Sequence, residues 1–229
     1  MIFMKKAIAL LSGGLDSTVS LAYALSEGYD VVPLTMHYGQ RHVRELQSAK
    51  AVAEHYGLKR HVFIDLDLSS FRTSALISPD VDVPLKRDAS EIGNDIPVTY
   101  VPARNIIFLS IAAGLCESEG AEAIFIGANA IDYSGYPDCR PAFFRSFEHT
   151  LQVGTKTGVE GHAPVIEHPL LYLTKADIVR LGEKLNAPLE LTWSCYSGGA
   201  KACGKCDSCL LRLKGFEEAG SKDRIEYEG

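Results

Sequence analysis

Residues 6–11 (KAIALL) form an apolar run that stops at Ser12-Gly13-Gly14, and a helical pattern starts directly afterwards at Leu15. A short run with no polar alternation suits a strand buried on both faces, and such strands belong to parallel sheets covered by helices. The chain then repeats the unit. Leu15, Val19, Ala22 and Leu25 recur at helical spacing as far as a stop at Gly28, residues 31–36 (VVPLTM) read as a strand despite Pro33, Val43, Leu46, Ala49, Ala53 and Tyr56 mark a helix over 41–56, and residues 61–65 (HVFID) make a third strand. After an irregular stretch, a helix over 103–118, a strand at 123–127 and a helix over 141–152 follow, and Thr174 to Asp177 forms a capping box opening a helix that runs to Leu185. The pattern predicts an α/β fold with a parallel, Rossmann-like sheet and helices on both faces.

A length of 229 residues with 46% hydrophobic and 23% charged positions fits one full domain and a small appendage, which we divide at 1–190 and 191–229. No apolar run approaches the ~18–20 residues of a membrane span, so no membrane partner is expected. The opening MIFMKKAIALLSGG imitates a signal peptide, but its apolar run is short and no small-residue cleavage site follows; the expectation is a cytoplasmic protein. A formal charge of −6 argues against a nucleic-acid partner, whose affinity depends on clustered basic residues. The stretch between Asp65 and Tyr100 has little periodicity, and in a compact domain that length suits a lid or binding loop.

The turn Ser12-Gly13-Gly14-Leu15-Asp16-Ser17 lies between strand and helix, where backbone N–H groups converge on anions. Two glycines permit positive φ and close approach of phosphate oxygens, and Ser12 and Ser17 add hydroxyls. Asp16 requires a cation beside any polyphosphate, unless it caps the helix. The turn is neither G-x-x-x-x-G-K-[ST] nor G-x-G-x-x-G; the plainer reading is a tight turn and N-cap. S-G-G-x-D-S after a first strand resembles the PP-loop ATP pyrophosphatases, and the resemblance implies a pyrophosphate cradle made by Ser12, Gly13, Gly14, Asp16 and Ser17.

Cys195, Cys203, Cys206 and Cys209 are spaced C-x7-C-x2-C-x2-C. Four thiolates on a glycine-containing loop suit tetrahedral Zn²⁺ and leave no open coordination position, so one structural zinc per chain is the expectation. An iron–sulfur cluster, a redox pair and free core thiols are the alternatives. The basic flanks Lys201, Lys205, Arg212 and Lys214 are offset by Glu217 and Glu218, weak support for RNA binding.

Three more segments carry too much chemistry for connectors: Tyr38-Gly39-Gln40-Arg41-His42, Tyr100-Val101-Pro102-Ala103-Arg104-Asn105, and Gly127 to Arg140. The last offers tyrosine faces, carboxylates for paired N–H donors and Arg140 for a carboxylate; alternatively the tyrosines pack and Arg140 pairs with Asp138. Cys139 reads as an inert or substrate-contacting thiol rather than a nucleophile, Lys175 either reaches a phosphate or is solvated, and His55, His61, His162 and His168 read as structural. S-G-G-L-D-S-T, Y-G-Q-R-H, Y-V-P-A-R-N, D-Y-S-G-Y-P-D-C-R-P and the four cysteines, in that order, resemble the 7-cyano-7-deazaguanine synthase (QueC) family of the queuosine pathway.

That resemblance implies conversion of 7-carboxy-7-deazaguanine and ammonia to the nitrile preQ0 through adenylated intermediates, with ATP, Mg²⁺ and Zn²⁺, in a homodimer. It implies catalytic roles for Ser12, Asp16, Ser17 and Lys175. Leu10, Leu11, Ser12, Gly13, Gly14, Leu15, Asp16, Ser17, Thr18, Arg104 and Asn105 would surround the nucleotide. Gln40, Arg41, Asp132, Tyr133, Asp138 and Arg140 would hold the deazaguanine. The rivals are a PP-loop tRNA thiolase, disfavoured by the acidic charge, a ligase that stops at the amide, and a nucleotide-binding regulator without catalysis.

Overall fold

The computed structural model describes residues 5–40, 44–85, 96–131 and 135–228. Five strands, β1 (Lys6–Leu10), β2 (Asp30–His37), β3 (Val62–Asp65), β4 (Ala123–Phe125) and β5 (Val165–Glu167), form one sheet in the order β3-β2-β1-β4-β5, all parallel. Among the described residues seven α-helices accompany them: α1 (Leu15–Ser26), α2 (Arg44–His55), α3 (Arg104–Glu119), α4 (Pro141–Gly154), the single turn α5 (Lys156–Val159), α6 (Lys175–Lys184) and α7 (Asp207–Ala219). The order reverses at β1, between β2 and β4, which is where open α/β sheets place their ligands.

Alternation along the strands assigns the faces. Ile8, Leu10, Val32, Leu34, Met36 and Ile124 pack with Leu109 and Ala112 of α3 and Phe144 of α4. Ala7, Ala9, Val31, Ala123 and Phe125 point the other way, onto Leu21 and Ala24 of α1 and Ala49, Val52 and Ala53 of α2. The small residues on this second face let the two helices lie close. A third cluster joins Leu15, Val19 and Ala22 of α1 to Ile178 and Val179 of α6 and Phe216 of α7.

The parallel α/β architecture expected from the sequence is the one observed, and the capping box of α6 is present: Asp177 N–H donates to Thr174 Oγ1, and Thr174 N–H donates to the Asp177 carboxylate. Three elements had no counterpart in the sequence reading. β5 has three residues with Val165 exposed, and α5 is a single turn, both too short to show a period. α7 buries Cys209, Arg212, Gly215 and Phe216 rather than an apolar stripe.

Arg212 is the reason. It is 2% exposed, and its guanidinium donates to both Asp223 oxygens (2.6 and 3.0 Å), to Thr192 Oγ1 (2.7 Å) and to Leu189 O (3.1 Å). A buried arginine persists only with its donors satisfied, and these partners bind α7 to both the segment before it and the tail after it. Tyr227 donates to the same carboxylate, and the tail bridges Ala202 through Ala202 N–H to Glu226 O at 2.8 Å. Burial raises the cost of charge on Asp223, yet Arg212 and Tyr227 outweigh it and hold its carboxyl below the usual range. Among the described residues no helix is long and apolar enough to cross a membrane.

Candidate active site

The end of β1 builds the first wall. Gly13 has φ +83°, and a Cβ there would stand 2.5 Å from Ala49 N and 2.9 Å from Ser48 Cβ, so only glycine lets α2 lie against the turn. Gly14 differs from the expectation of paired positive φ values: its φ is −80°, it forms the N-cap of α1, and it leaves open space beside the helix N-terminus. Ser12 Oγ lies 3.0 Å from Ser17 Oγ, Ser17 Oγ donates to Gly14 O at 3.1 Å, and Gly14 N–H donates to Ser12 Oγ at 3.3 Å. The first-turn amides of α1 have no partner within the helix, so hydroxyls and amides face the same space. Gly127, just past β4, is required for closure: a Cβ there would lie 2.7 Å from the Asp16 carbonyl carbon and Ser17 N.

Lys175 opens α6 and reaches across to Asp16, donating to both carboxylate oxygens at 2.8 and 2.7 Å. The pair brings together residues 159 apart in sequence, both at helix N-termini. Gly215 of α7 makes room for it, since a Cβ there would press on Lys175 Cγ and lie 3.0 Å from its Cβ.

The opposite wall comes from α3 and the segment before α4. Ala103, the N-cap of α3, is held at φ +56°, a strained position for a residue with a Cβ, and Ala103 N–H donates to Tyr100 OH at 3.1 Å. This aims Arg104 and Asn105 inward. Asn105 N–H donates to Asp138 Oδ2 (3.0 Å) and Asn105 Nδ2 to Asp138 O (3.0 Å) and Cys139 Sγ (3.2 Å). Burial is a cost to Arg104's charge, but Tyr38, Tyr136, Cys139 and Asp138 around it keep the guanidinium firmly protonated. Burial pushes the Cys139 thiol up to about 12, in keeping with an inert thiol rather than a nucleophile.

These walls enclose a cavity of about 290 Å³ open to solvent. Of the residues expected from sequence, Leu10, Leu11, Ser12, Gly14, Leu15, Asp16, Ser17, Gln40, Arg104, Asn105 and Lys175 line it. Gly13 shapes the turn from behind, Thr18 is wholly buried within α1, and Asp138 lies behind Asn105. Arg140 is exposed at the N-cap of α4 and, among the described residues, has no ion pair with Asp138. Arg41, Asp132 and Tyr133 lie outside the described residues.

Sequence reasoning missed the floor of the cavity. Trp193, Ser194, Tyr196, Ser208, Leu211 and Arg212, all from the cysteine-bearing segment, line it, and Trp193 N–H donates to Gly13 O at 2.8 Å. Arg44 stacks over the Trp193 ring at 4.0 Å. It also missed Glu45, in the first turn of α2, whose carboxyl burial raises to about 7 although Arg104 pulls it down. The adjacency of α2 to the turn, set by Gly13, is the signal that would have found it.

Cys195, Cys203, Cys206 and Cys209 are buried, with their sulfurs all within 4.8 Å of one another and Cys203 to Cys209 at 4.0 Å. A tetrahedron of thiolates ~2.3 Å from one ion spaces sulfurs by roughly 3.8 Å, so the four fit a single metal. Without a cation they cannot share ionisation: hydrogen bonds from Cys206 and Cys209 favour the Cys195 thiolate, and that anion drives the Cys206 and Cys209 thiols upward. All six cysteines are free.

A family model described as queuosine biosynthesis protein QueC matches residues 6–220. The chain is 60% identical over 225 residues to a 7-cyano-7-deazaguanine synthase of Picrophilus torridus, covering 98% of this chain and 92% of that one, and 59% identical to one of Thermoplasma acidophilum over the same shares. The structure of NMN synthetase from Francisella tularensis superposes with a TM-score of 0.50 at 15% identity, covering 95% of this chain and 78% of that one, a likeness of fold.

Proposed function

The chain belongs to the QueC family of queuosine biosynthesis proteins, and on that premise we propose how its cavity makes 7-cyano-7-deazaguanine, the preQ0 of that pathway, from 7-carboxy-7-deazaguanine, ammonia and ATP. The observation that carries the reading is the convergence, on one cavity at the switch point of the sheet, of a hydroxyl-and-amide cradle, the Lys175–Asp16 pair and an arginine wall. The donor set fits a triphosphate: the Ser12 and Ser17 hydroxyls and the α1 amides donate to its oxygens, and Lys175 supplies positive charge.

In this reading the substrate carboxylate attacks the α-phosphorus of ATP, and pyrophosphate leaves into the cradle. Ser12 and Ser17 hydroxyls and the α1 N-terminus hold its developing charge, and Lys175, kept in place by Asp16, turns its ammonium between carboxylate and phosphate. Asp16 would hold Mg²⁺, which would supply further neutralisation of the phosphate charge. Arg104 and Asn105 position the carboxylate and nucleotide. Ammonia displaces AMP to form the amide, a second adenylation activates the amide oxygen, and loss of AMP with the nitrogen's protons yields the nitrile. Gln40 faces the base side and Asp138 acts through Asn105; for Arg41, Asp132, Tyr133 and Arg140 the family resemblance supports a role in holding the base.

Residues 1–190 carry the chemistry, and 191–229 form its floor and a zinc-held staple. Six free cysteines, four of them packed for a metal, support a reducing, cytoplasmic setting. The family resemblance supports a homodimer acting on small molecules and not on nucleic acid.

The test follows base and nucleotide together by mass spectrometry with 7-carboxy-7-deazaguanine, ammonium, Mg²⁺ and ATP. Nitrile with about two AMP per product is expected from the two activations. Amide alone, or ADP in place of AMP, overturns the mechanism. Asp16→Ala is expected to lower turnover by ~100-fold or more with the thermal midpoint within a few degrees of the parent.

A further inference from the structure

Three carboxylates stand at or behind the cavity, and two are already committed. Both oxygens of Asp16 accept from Lys175, and Asp138 is buried behind Asn105, from whose N–H it accepts. Glu45 is different. It lines the cavity, and among the described residues it has neither a hydrogen bond nor an ion pair. Its surroundings are aromatic and cationic: Tyr38 and Arg104 lie within electrostatic reach, and Tyr38 packs edge-on to Phe108, another cavity residue, at 5.4 Å.

Burial with no hydrogen-bonding partner among the described residues disfavours the charged form of the Glu45 carboxyl. A ligand that brought two N–H donors would reverse that cost. The 2-amino-4-oxo pyrimidine edge of a deazaguanine presents such a pair, the ring N1–H and the exocyclic amine, side by side and matched to two carboxylate oxygens. An adenine edge presents one donor and one acceptor and suits a carboxylate poorly. The close packing of α2 on Gly13 sets the Glu45 backbone carbonyl against the glycine turn, so its side chain enters the same cavity as Ser12 and Ser17.

Resting on the function proposed above, we propose that Glu45 is the specificity residue for the base, its two oxygens accepting from the N1–H and 2-amino group of the deazaguanine. Arg104 faces it from the other wall, so that the substrate lies between a carboxylate and a guanidinium.

The test compares 7-carboxy-7-deazaguanine with its analogue lacking the 2-amino group, in the parent protein and in Glu45→Gln. Glutamine keeps the size but replaces one acceptor by a donor. The parent is expected to favour the amino-bearing base by about 10- to 100-fold in kcat/KM, the range of one hydrogen bond to a charged group. Glu45→Gln should reduce that preference to about threefold or less, with the KM for ATP and the thermal midpoint unchanged. Where turnover is too slow to follow, calorimetric binding of the two bases makes the same comparison, and Glu45→Asp should recover part of the preference. An undiminished preference in Glu45→Gln overturns the inference, as does a change confined to the KM for ATP, which would assign Glu45 to the adenine, or to the KM for ammonium, which would assign it to the nitrogen donor. A parent protein that neither binds nor converts the amino-bearing base overturns the proposed function itself, and this inference with it.

Discussion

Gly13 and Gly14 are adjacent and alike in the sequence, yet they do different work. Gly13 is held at φ +83° against α2, so Gly13→Ala combines a left-handed strain of ~1–2 kcal/mol with a clash on Ala49 N. Its thermal midpoint should fall and ATP binding should be lost. Gly14→Ala meets nothing closer than Ser12 Oγ at 3.4 Å and keeps an ordinary φ of −80°, so its midpoint should stay near the parent's while nucleotide affinity drops, as calorimetry would show. His61 yields a prediction of another kind. Thr35 Oγ1 donates to Leu11 O at 2.6 Å, so His61, 2.8 Å away, must donate to Thr35 through a protonated Nε2, and burial pulls its pKa down to about 4. Between that value and the ~6.5 of an unfolded histidine, the unfolded chain binds a proton that the folded chain refuses, so the stabilisation is full above 6.5 and lost as pH falls towards 4. Denaturation midpoints across that window should fall more steeply for the parent than for His61→Gln. The sequence marked the glycine turn as special and His61 as structural; which glycine takes which geometry was not legible, because it depends on α2, which packs against the turn only in the fold.

At the scale of elements, the helices that were legible are those with an apolar face. α1 packs Leu15, Val19 and Ala22 at helical spacing, and the capping box of α6 is local chemistry readable in four residues. α7 escaped because its buried face holds Arg212 and Gly215, whose compatibility with the interior depends on Asp223 and Lys175. That dependence makes Gly215→Val informative. The added methyls would press on Lys175 and force α6 and α7 apart, with overpacking of ~1–3 kcal/mol. The expected result is a lowered thermal midpoint together with a raised KM for ATP, because Lys175 is displaced from Asp16; a shift in stability alone would mean that the pair adjusts without loss.

For the whole molecule, the cysteine-bearing segment is part of the cavity. Trp193, the single tryptophan of the chain, donates to Cys195 O at 3.1 Å, stacks under Arg44 at 4.0 Å and hydrogen-bonds Gly13, so the four-cysteine cluster and the glycine turn share one residue. If the four cysteines hold a metal as proposed, chelation under reducing conditions should lower the thermal midpoint, at ~2–4 °C per kcal/mol for a chain of this size, and alter Trp193 fluorescence along with ATP affinity. Loss of stability with unchanged nucleotide binding would instead confine the metal to a remote staple. The sequence by itself determined the parallel α/β architecture, the glycine-serine turn and the four-cysteine set, because each is written in spacings of a few residues that local backbone geometry must obey. The tertiary structure alone decided that Lys175 meets Asp16, that Trp193 floors the cavity and that Glu45 faces it with no partner among the described residues. Those meetings join residues brought together by strand order and helix packing, and no local pattern encodes the distance between them.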